Sequence, residues 1–296
     1  CRPGCTERLY RLRISTVCRT IWWLRQERSS PDQNHSVHLR NAMTAVVLTI
    51  GGSDSGGGAG IQADIKTFSV LGLHGTSAIT AVTAQNTLGV QQVFGLGPHA
   101  VRAQLKSITD DFSISAAKTG MLYSAEIVEV VADVLRDSDF LLVVDPVIEA
   151  EAGGRLLHPE AASALKEKLL PLADVVVPNI FEAEALSGVA VRDKESALLA
   201  ARKILDAGAG AVIVKGGHLD CTDLLATKDS SLFLPGKRVA GENHGVGCTY
   251  SAALTAFLAS GCSLPQAARR AKMFAQEALQ GSMRVGRGVG PVGQAS

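Results

Sequence analysis

The chain has 296 residues and a formal net charge of +1, with 46% hydrophobic and 19% charged residues. This composition predicts a globular protein with a large core, built as one large α/β domain or two smaller ones. No apolar run approaches the roughly 18 residues needed to cross a bilayer, and the near-zero net charge argues against nucleic acid or a membrane surface as a partner. The six cysteines show neither a disulfide framework nor metal-ligand spacing, which indicates a reduced, cytoplasmic protein.

Residues 1–42 differ in composition from the rest of the chain. They hold both tryptophans, three cysteines and eight arginines but no lysine, and Met43 is the first methionine. Two interpretations stay open: an Arg-rich, acid-poor targeting segment that directs import into an organelle, or spurious upstream translation with Met43 as the true start. The Ser-rich amphipathic pattern of a transit peptide is missing, so we favour the second. In either case we expect residues 1–42 to be a disordered, non-domain segment.

From residue 43 onward, short apolar runs alternate with amphipathic stretches of helical length. "AVVLTI" predicts the first strand, and "GAGIQADIKTFSVLG" predicts a helix with Ile61, Ile65 and Phe68 on one face. The pattern recurs through "TSAITAVTAQ", "HAVRAQLKSITDD", "SAAKTGML", "AEIVEVVADVLRD", "FLLVVDPV" and later pairs up to "GAVIVKGG". Such alternation predicts an α/β fold with three layers, α/β/α, around a mostly parallel central sheet. We expect one domain over residues 43–291 and a short tail at 292–296.

The predicted strands end in polar or glycine-containing turns. In a parallel sheet these ends share one edge, where ligands bind. The turns are "GGSD" (51–54), "QN" (85–86), "GM" (120–121), "DP" (145–146), "PN" (178–179) and "KGGH" (215–218). Polar loops are common in any protein and account for one such turn, but six favour a site-bearing edge. The usual nucleotide motifs are incomplete, because the G-x-G-x-x-A at Gly58 lacks its later acid and no Walker-type motif occurs.

A glycine-rich turn precedes a breaker-free, Ala-rich stretch in "GENHGVGCTYSAALTAFLASG" (241–261). The stretch predicts a helix that begins near Cys248, behind Gly245 and Gly247. The free N–H groups at such a helix start form an anion site for a phosphoryl group. A structural turn that only needs positive φ angles is an equal alternative, and the pattern alone does not decide whether Cys248 packs or reacts.

Eight motifs occur in order between residues 44 and 291: "IGGSDSGGGAGIQADIKTF", "TAVTAQNTLGV", "KTGML", "DPV", "VPNIFEAEAL", "VKGGH", "HGVGCTYSAAL" and "GRGVGP". In this order they resemble the hydroxymethylpyrimidine/phosphomethylpyrimidine kinases, a thiamin-biosynthesis family of the ribokinase-like superfamily. The resemblance implies ATP- and Mg²⁺-dependent phosphorylation of 4-amino-5-hydroxymethyl-2-methylpyrimidine and then of its monophosphate. A homodimer is also expected.

The resemblance also implies roles for individual residues. Those expected around the pyrimidine are Gly52, Asp64, Gln85, Met121 and Val147. Those expected at ATP and Mg²⁺ are Asp145, Asn179, Glu182, Lys215 and Val246, with Asp145 and Glu182 reaching the metal through water. The Gln85 amide suits an aminopyrimidine edge because it both donates and accepts, and Asp64 is expected to accept from the exocyclic amine. His218 is given no catalytic role.

Cys248 stands where the related sugar kinases carry an aspartate base, so the resemblance assigns catalysis to Cys248 with Gly245, Gly247 and Lys215. A thiol at a helix N-terminus has a lowered pKa, which makes a thiolate base at neutral pH the expectation. The chain departs from the family pattern at Val246, which replaces a threonine, at "DSGGGAG", which lacks a proline, and at Arg287. The Val246 departure puts nucleotide affinity in question.

Two rival functions remain at this level. Pyridoxal kinase is the nearest, because relatives with the cysteine-bearing turn accept pyridoxal. A non-catalytic pyrimidine-binding regulator is the other, and it would be favoured if Asp145, Glu182, Lys215 or Cys248 were missing. All four are present.

Overall fold

A twisted sheet organises the computed structural model, which describes residues 44–148, 159–217, 220–241 and 244–294. Its strands within these ranges are β1 (Val46–Asp54), β2 (His74–Asn86), β3 (Gly89–Gly95), β4 (Ile114–Thr119), β5 (Leu141–Val144), β6 (Val175–Val176), β7 (Ala211–Val214), β8 (Asp223–Thr227) and β9 (Ser231–Leu234). They lie in the order β3-β2-β1-β4-β5-β6-β7-β8-β9. The six strands from β2 to β7 in this order are parallel. β3 at one edge pairs antiparallel with β2, and at the other end β8 pairs antiparallel with both β7 and the edge strand β9.

Helices follow most of the parallel strands. They are α1 (Gly60–Val70), α2 (Pro98–Thr109), α3 (Ala125–Leu135), α4 (Pro159–Ala164), α5 (Ile180–Ser187), α6 (Lys194–Asp206), α7 (Val246–Ala259) and α8 (Leu264–Gln280). A π turn (Leu165–Leu169) and a 3₁₀ turn (Leu170–Leu172) continue α4. These helices bury their apolar faces on the sheet, which is where amphipathic helices gain most of their stability.

Two apolar layers fill the space between helices and sheet. On one face Leu105 and Val131 pack with Leu48 and Val176 of the strands. On the other face Tyr250 and Leu254 of α7 pack against Val143 and Val177, together with α8 and the nearby α1. The expected three-layer α/β/α arrangement around a mostly parallel sheet is therefore confirmed.

The chain reverses its direction of travel across the sheet next to β1. From β1 it adds β2 on one side and then returns to add β4 on the other. In open α/β sheets, a crevice forms at such a reversal, beyond the carboxyl ends of the two diverging strands. The residues that follow β1 and β4 therefore lie at a natural ligand site.

The domain boundary lies later than expected. Val292 is 1% exposed, and its N–H donates to the carbonyl of His244. Gly293 N–H donates to the Ala278 carbonyl, and Gln294 Nε2 donates to Thr249 Oγ1. Residues 292–294 thus belong to the packed domain and are not a tail. The expected non-domain segment at 1–42 lies outside the described residues.

Candidate active site

A pocket of about 820 Å³, partly open to solvent, occupies the carboxyl edge of the sheet. It is lined by almost all of the site residues expected from the sequence, namely Gly52, Asp64, Gln85, Met121, Asp145, Val147, Asn179, Glu182, Lys215, Gly245, Gly247 and Cys248. Val246 is the exception. Its side chain is half-buried against the apolar layer under α7, and its contact with the nucleotide stays a prediction. His218 lies outside the described residues.

The start of α7 brings backbone N–H groups to the pocket. Gly245 caps the helix with φ +86°, and Val246, Gly247 and Cys248 form its first turn. A Cβ atom on Gly245 would overlap the carbonyl oxygen of Gly58, which belongs to the glycine-rich loop after β1. Only glycine fits this position, because both the positive φ and the close backbone approach exclude a side chain. The turn is therefore held where its free N–H groups can bind an anion.

Cys248 lies half-buried in the pocket wall at the third position of α7. Burial raises the pKa of its thiol to about 12; Lys118 opposes this shift, whereas Asp64 and Asp145 add to it. The expected lowering of the thiol pKa is therefore wrong for this pocket. The opposing effects of Lys118 and the Gly60 N–H do not outweigh desolvation and the two nearby carboxylates.

Lys118 is a pocket residue to which the sequence gave no role. It lies on β4 with its side chain 1% exposed, and its Nζ atom donates to Asp64 Oδ1 at 2.8 Å and to Oδ2 at 2.9 Å. Asp145 Oδ2 lies 3.9 Å from the same nitrogen. Burial works against the charged form, but neighbouring anions led by Asp64 outweigh it and raise the pKa of Lys118. Lys118 is thus held in its charged form at the pocket, where Asp64 balances its charge.

Asp64 holds that lysine. Its Oδ2 atom also accepts from Thr49 Oγ1 at 2.6 Å, so both oxygens already have close donors. Burial raises the pKa of Asp64 while Lys118 opposes the rise; with Nζ within 2.9 Å of both oxygens, we assign the pair as ionised. This geometry fits an anchor for Lys118 better than the expected acceptor for a substrate amine.

A second ion-pair group lies beside the first. Lys215 Nζ donates to Asp145 Oδ1 at 3.0 Å and lies 4.0 Å from Glu182 Oε2. Ser251 Oγ of α7 donates to the other oxygen of Asp145 at 2.8 Å. Burial opposes the charge on Lys215, but Asp145 and Glu182 outweigh it and raise its pKa. The expected grouping of these acids with Lys215 at one strand edge is what the structure shows.

The N-x-x-E pattern has a local structural function. Asn179 Oδ1 accepts from Glu182 N at 2.9 Å, and Glu182 Oε2 accepts from Asn179 N at 2.7 Å, which forms a capping box at the start of α5. This reciprocal pair satisfies two N–H groups that the helix leaves unbonded. The box also fixes the Glu182 carboxylate against the pocket.

A third cluster joins the glycine-rich loop to the α7 turn. Asp54 accepts from the N–H groups of Gly56, Gly58 and Ala59, and its Oδ2 lies 2.9 Å from His244 Nε2. The same His244 nitrogen lies 3.2 Å from Nε2 of Gln85. Asp54 belongs to the GGSD turn expected at the ligand-binding edge, but neither Asp54 nor His244 was given a role in the site.

Apolar groups form one wall beside Gln85. Met121, 7% exposed, lies against Gly52, where any Cβ atom would collide with its side chain. Val147, which follows β5, also lines the pocket. Apolar side chains in the same pocket as an amide suit a flat ring with a polar edge.

Within the described residues, no helix is long and apolar enough to cross a membrane. Nor do any three His, Cys, Asp or Glu side chains in this part of the chain form a candidate metal cluster.

Comparison with known proteins links this arrangement to one family. The phosphomethylpyrimidine kinase family model matches residues 54–293. The hydroxymethylpyrimidine/phosphomethylpyrimidine kinase of Haemophilus influenzae is 50% identical over 254 residues, which cover 83% of this chain and 94% of that protein. The thiamine biosynthesis bifunctional protein ThiED of Geobacter sulfurreducens is 45% identical over 251 residues, which cover 83% of this chain but 51% of that protein.

A solved structure shows the same fold. The crystal structure of an ADP complex of Bacillus subtilis pyridoxal kinase matches with a TM-score of 0.79 and 38% identity. The match covers 85% of this chain and 98% of that chain.

Proposed function

The chain belongs to the phosphomethylpyrimidine kinase family, and we propose that its pocket phosphorylates 4-amino-5-hydroxymethyl-2-methylpyrimidine and then the monophosphate. It is an ATP-using phosphotransferase of thiamin biosynthesis. One observation carries the proposal: an amide for an aminopyrimidine edge, Gln85, and the phosphate-binding start of α7 line the same pocket. A regulator without catalysis would not need this helix start beside Lys118 and Lys215, two lysines held in ion pairs.

The pyrimidine is proposed to lie between Met121 and Val147 with its amino edge toward Gln85. This pose directs the hydroxymethyl group toward Cys248. The first-turn N–H groups of α7 and the ammonium of Lys215 then face the transferred phosphoryl group, where negative charge develops. Phosphoryl transfer depends mainly on such positioning and charge stabilisation.

Cys248 is proposed to act as a neutral thiol that positions the substrate hydroxyl. With a pKa of about 12, a thiolate at pH 7 would be present in only about one molecule in 10⁵. The carboxylates of the pocket already outnumber its two lysines, and anionic phosphates make a further anion less favourable. The hydroxyl oxygen attacks the γ-phosphorus, the bond to the bridging oxygen breaks, its electrons leave with ADP, and the hydroxyl proton passes to a phosphoryl oxygen.

Magnesium is proposed to accompany ATP. Asp145 and Glu182 offer the hard oxygen ligands that Mg²⁺ prefers, and the ion takes few direct protein ligands because it keeps several waters. Each carboxylate already has a protein donor, so water-mediated contact fits this donor set. When bound, the ion neutralises phosphate charge.

Pyridoxal kinase is the second candidate, because a pyridoxal kinase shares the fold at 38% identity. The test is a comparison of kcat/KM for the aminopyrimidine and for pyridoxal, with ADP release as the readout. The proposal expects the aminopyrimidine to be the better substrate. A higher kcat/KM for pyridoxal would overturn it.

A homodimer is proposed through the β3 edge of the sheet. Leu88 is 60% and Phe94 52% exposed there, and Val285 is 65% exposed. Gly288 N donates to Thr87 Oγ1, which places the segment of Val285 beside the β2–β3 turn. Exposed apolar side chains along a sheet edge support an interface there. Light scattering coupled to gel filtration distinguishes a dimer from a monomer.

We also propose that residues 43–294 suffice for catalysis and that the protein works in the cytoplasm, where ATP is available. The packed elements of the domain support the first statement. A chain that starts at Met43 should match the parent in kcat, and a loss of activity would contradict this. Cell fractionation tests the location.

A further inference from the structure

The Asp54 carboxylate is surrounded by donors. Oδ1 accepts from Gly56 N at 2.7 Å, and Oδ2 accepts from Gly58 N and Ala59 N, each at 2.9 Å. Burial alone would raise the pKa of Asp54, but the contact with His244 and these amide bonds outweigh it and lower the pKa. Asp54 is therefore an ionised group that only accepts hydrogen bonds.

This fixes the hydrogen on His244. Its Nε2 atom lies 2.9 Å from Asp54 Oδ2, so Nε2 must carry a hydrogen and donate it. That holds for the neutral ring and for the doubly protonated ring alike. The ring packs directly on Gly58, where an added Cβ would overlap it. The backbone of His244 is also fixed, because its carbonyl accepts from Val292 N–H.

The direction of the Gln85 amide follows from the hydrogen on His244. With the amide nitrogen 3.2 Å from His244 Nε2, two donors would face each other. Thr83 Oγ1 lies 3.1 Å from both Gln85 Oε1 and Ser53 O, yet it has one hydrogen to give. If the amide is turned by 180°, Gln85 Oε1 shares the single His244 Nε2 hydrogen with Asp54 in a three-centre bond, Gln85 Nε2 donates to Thr83, and Thr83 donates to Ser53. Amide direction is assigned from such networks.

We propose that His244 is a specificity-determining positioning residue that fixes the direction of the Gln85 amide, so that the pocket favours a 4-aminopyrimidine over a 4-oxopyrimidine. The proposal rests on the function proposed above, in which Gln85 meets the ring edge. Held between His244 and Thr83, the amide cannot exchange its oxygen and nitrogen. Gln85 Oε1 therefore keeps a lone pair, and Gln85 Nε2 keeps a hydrogen, for the substrate.

The two rings differ in what they present. A 4-aminopyrimidine edge has an accepting ring nitrogen and a donating amine, whereas the 4-oxo ring has a donating ring N–H and an accepting oxygen. Because the hydroxymethyl group must face Cys248, the ring cannot turn to exchange these positions. In the proposed pose, Gln85 Oε1 faces the amine and Gln85 Nε2 faces the accepting ring nitrogen. The oxo ring would put its oxygen against Oε1 and its ring N–H against Nε2, so that acceptor faces acceptor and donor faces donor. Such mismatches are strongly rejected in buried sites.

The experiment measures Kd by calorimetry for 4-amino-5-hydroxymethyl-2-methylpyrimidine and for its 4-oxo counterpart. It uses the full chain and the variants His244→Phe, His244→Gln and Thr83→Val, with His99→Phe as the matched control because His99 is exposed on α2. We expect the parent and His99→Phe to prefer the amino ring by about 100-fold or more. The ratio should fall about tenfold in His244→Phe and in Thr83→Val. His244→Gln should keep most of it, since its amide can still donate to Asp54.

The outcomes separate the proposal from the function on which it rests. If both affinities fall in proportion in His244→Phe and Thr83→Val, with the ratio unchanged, His244 is only structural and the proposal is overturned. If His244→Phe does not fold, Thr83→Val still tests whether a fixed amide direction sets the preference, and an unchanged ratio in Thr83→Val overturns the proposal. A parent that binds the amino ring without preferring it overturns the proposal but leaves the function standing. A parent that binds neither ring overturns both.

Discussion

Lys118 Nζ and Asp64 Oδ1 lie 2.8 Å apart beneath the pocket, with both side chains at most 2% exposed. A buried ion pair of this kind is costly to break, because removal of one partner leaves the other charge without compensation. The pair puts a positive charge next to Cys248 and Asp145 without exposing it to solvent. Lys118 therefore belongs to the electrostatics of the site as well as to the core.

Lys118→Met should destabilise the domain by about 3–5 kcal/mol, because Asp64 is left buried and unpaired. The double variant Lys118→Met/Asp64→Asn should recover part of that loss. Arg102→Met is the matched control, because the Arg102–Asp133 pair at 3.2 Å is exposed, and it should cost at most about 1 kcal/mol. Urea unfolding measures all three. Equal costs for Lys118→Met and Arg102→Met would contradict the assignment.

Gly245→Ala should impair both stability and turnover, since its Cβ would meet Gly58 O at a positive φ. Gly261→Ala separates the two causes, because Gly261 has a similar φ of +82° and no atom near the added Cβ. In Gly261→Ala we expect the backbone strain alone to lower the free energy of unfolding by about 1–2 kcal/mol and kcat to stay unchanged. Gly245→Ala should cost more and lower kcat. Parent-like turnover in Gly245→Ala would show that the close contact at the helix start is not needed.

Glu182→Gln should separate helix capping from charge. Glutamine serves the capping box as glutamate does, so the melting temperature should stay within about 2 °C of the parent. The lost carboxylate should raise the Mg²⁺ concentration needed for half-maximal rate, by about tenfold if the ion gains a typical charge-assisted contact there. A titration of initial rate against Mg²⁺ measures this. An unchanged Mg²⁺ requirement would remove Glu182 from the metal site.

Cys248 should remain protonated through neutral pH. A raised thiol pKa means that the folded protein holds this proton more tightly than the unfolded chain does. The stabilisation is thus complete below the unfolded pKa of about 9 and is lost as the pH rises toward 12. The difference in thiolate absorbance between the parent and Cys248→Ser should appear only at strongly alkaline pH. A thiolate signal near pH 7 would contradict the assignment.

The same protonation predicts how Cys248 variants turn over. Cys248→Ser keeps a small hydrogen-bonding group and should stay within about tenfold of the parent, with a flat profile of kcat from pH 7 to 9. Cys248→Ala should lose about 100-fold. Two results together would instead support a thiolate base: Cys248→Ser as slow as Cys248→Ala, and a kcat of the parent that rises tenfold per pH unit.

The alternation of strand and helix patterns along the sequence, with the polar turns at the strand ends, was enough to predict the fold and most of the pocket. Alternating strand and helix periods identified the parallel strands. The sheet topology then brings their carboxyl ends together, so that Gln85, Asp145 and Lys215 line one pocket. The antiparallel strands β8 and β9 were missed because they are short and separated by polar residues that resemble a loop.

Contacts over long chain separations account for the other misses. Lys118 and Asp64 are 54 positions apart, and Asp54 and His244 are 190 apart. A lysine in a strand is ordinarily assigned to the surface, and no local signal shows that a distant carboxylate makes burial tolerable. The thiol pKa was wrong for the same reason, since the helix start is visible in the sequence but desolvation and neighbouring acids are not.

The central claim is that this pocket adds two phosphoryl groups in turn to one aminopyrimidine, with Cys248 at the transferring phosphorus. A phosphorus NMR time course with ATP, Mg²⁺ and the hydroxymethylpyrimidine tests it most directly, with Cys248→Ala beside the control Cys262→Ala. The parent and the control should form the monophosphate first and then the diphosphate, and Cys248→Ala should slow both steps about 100-fold. ATP consumption without a pyrimidine phosphate, or equal rates in Cys248→Ala and the parent, would contradict the account.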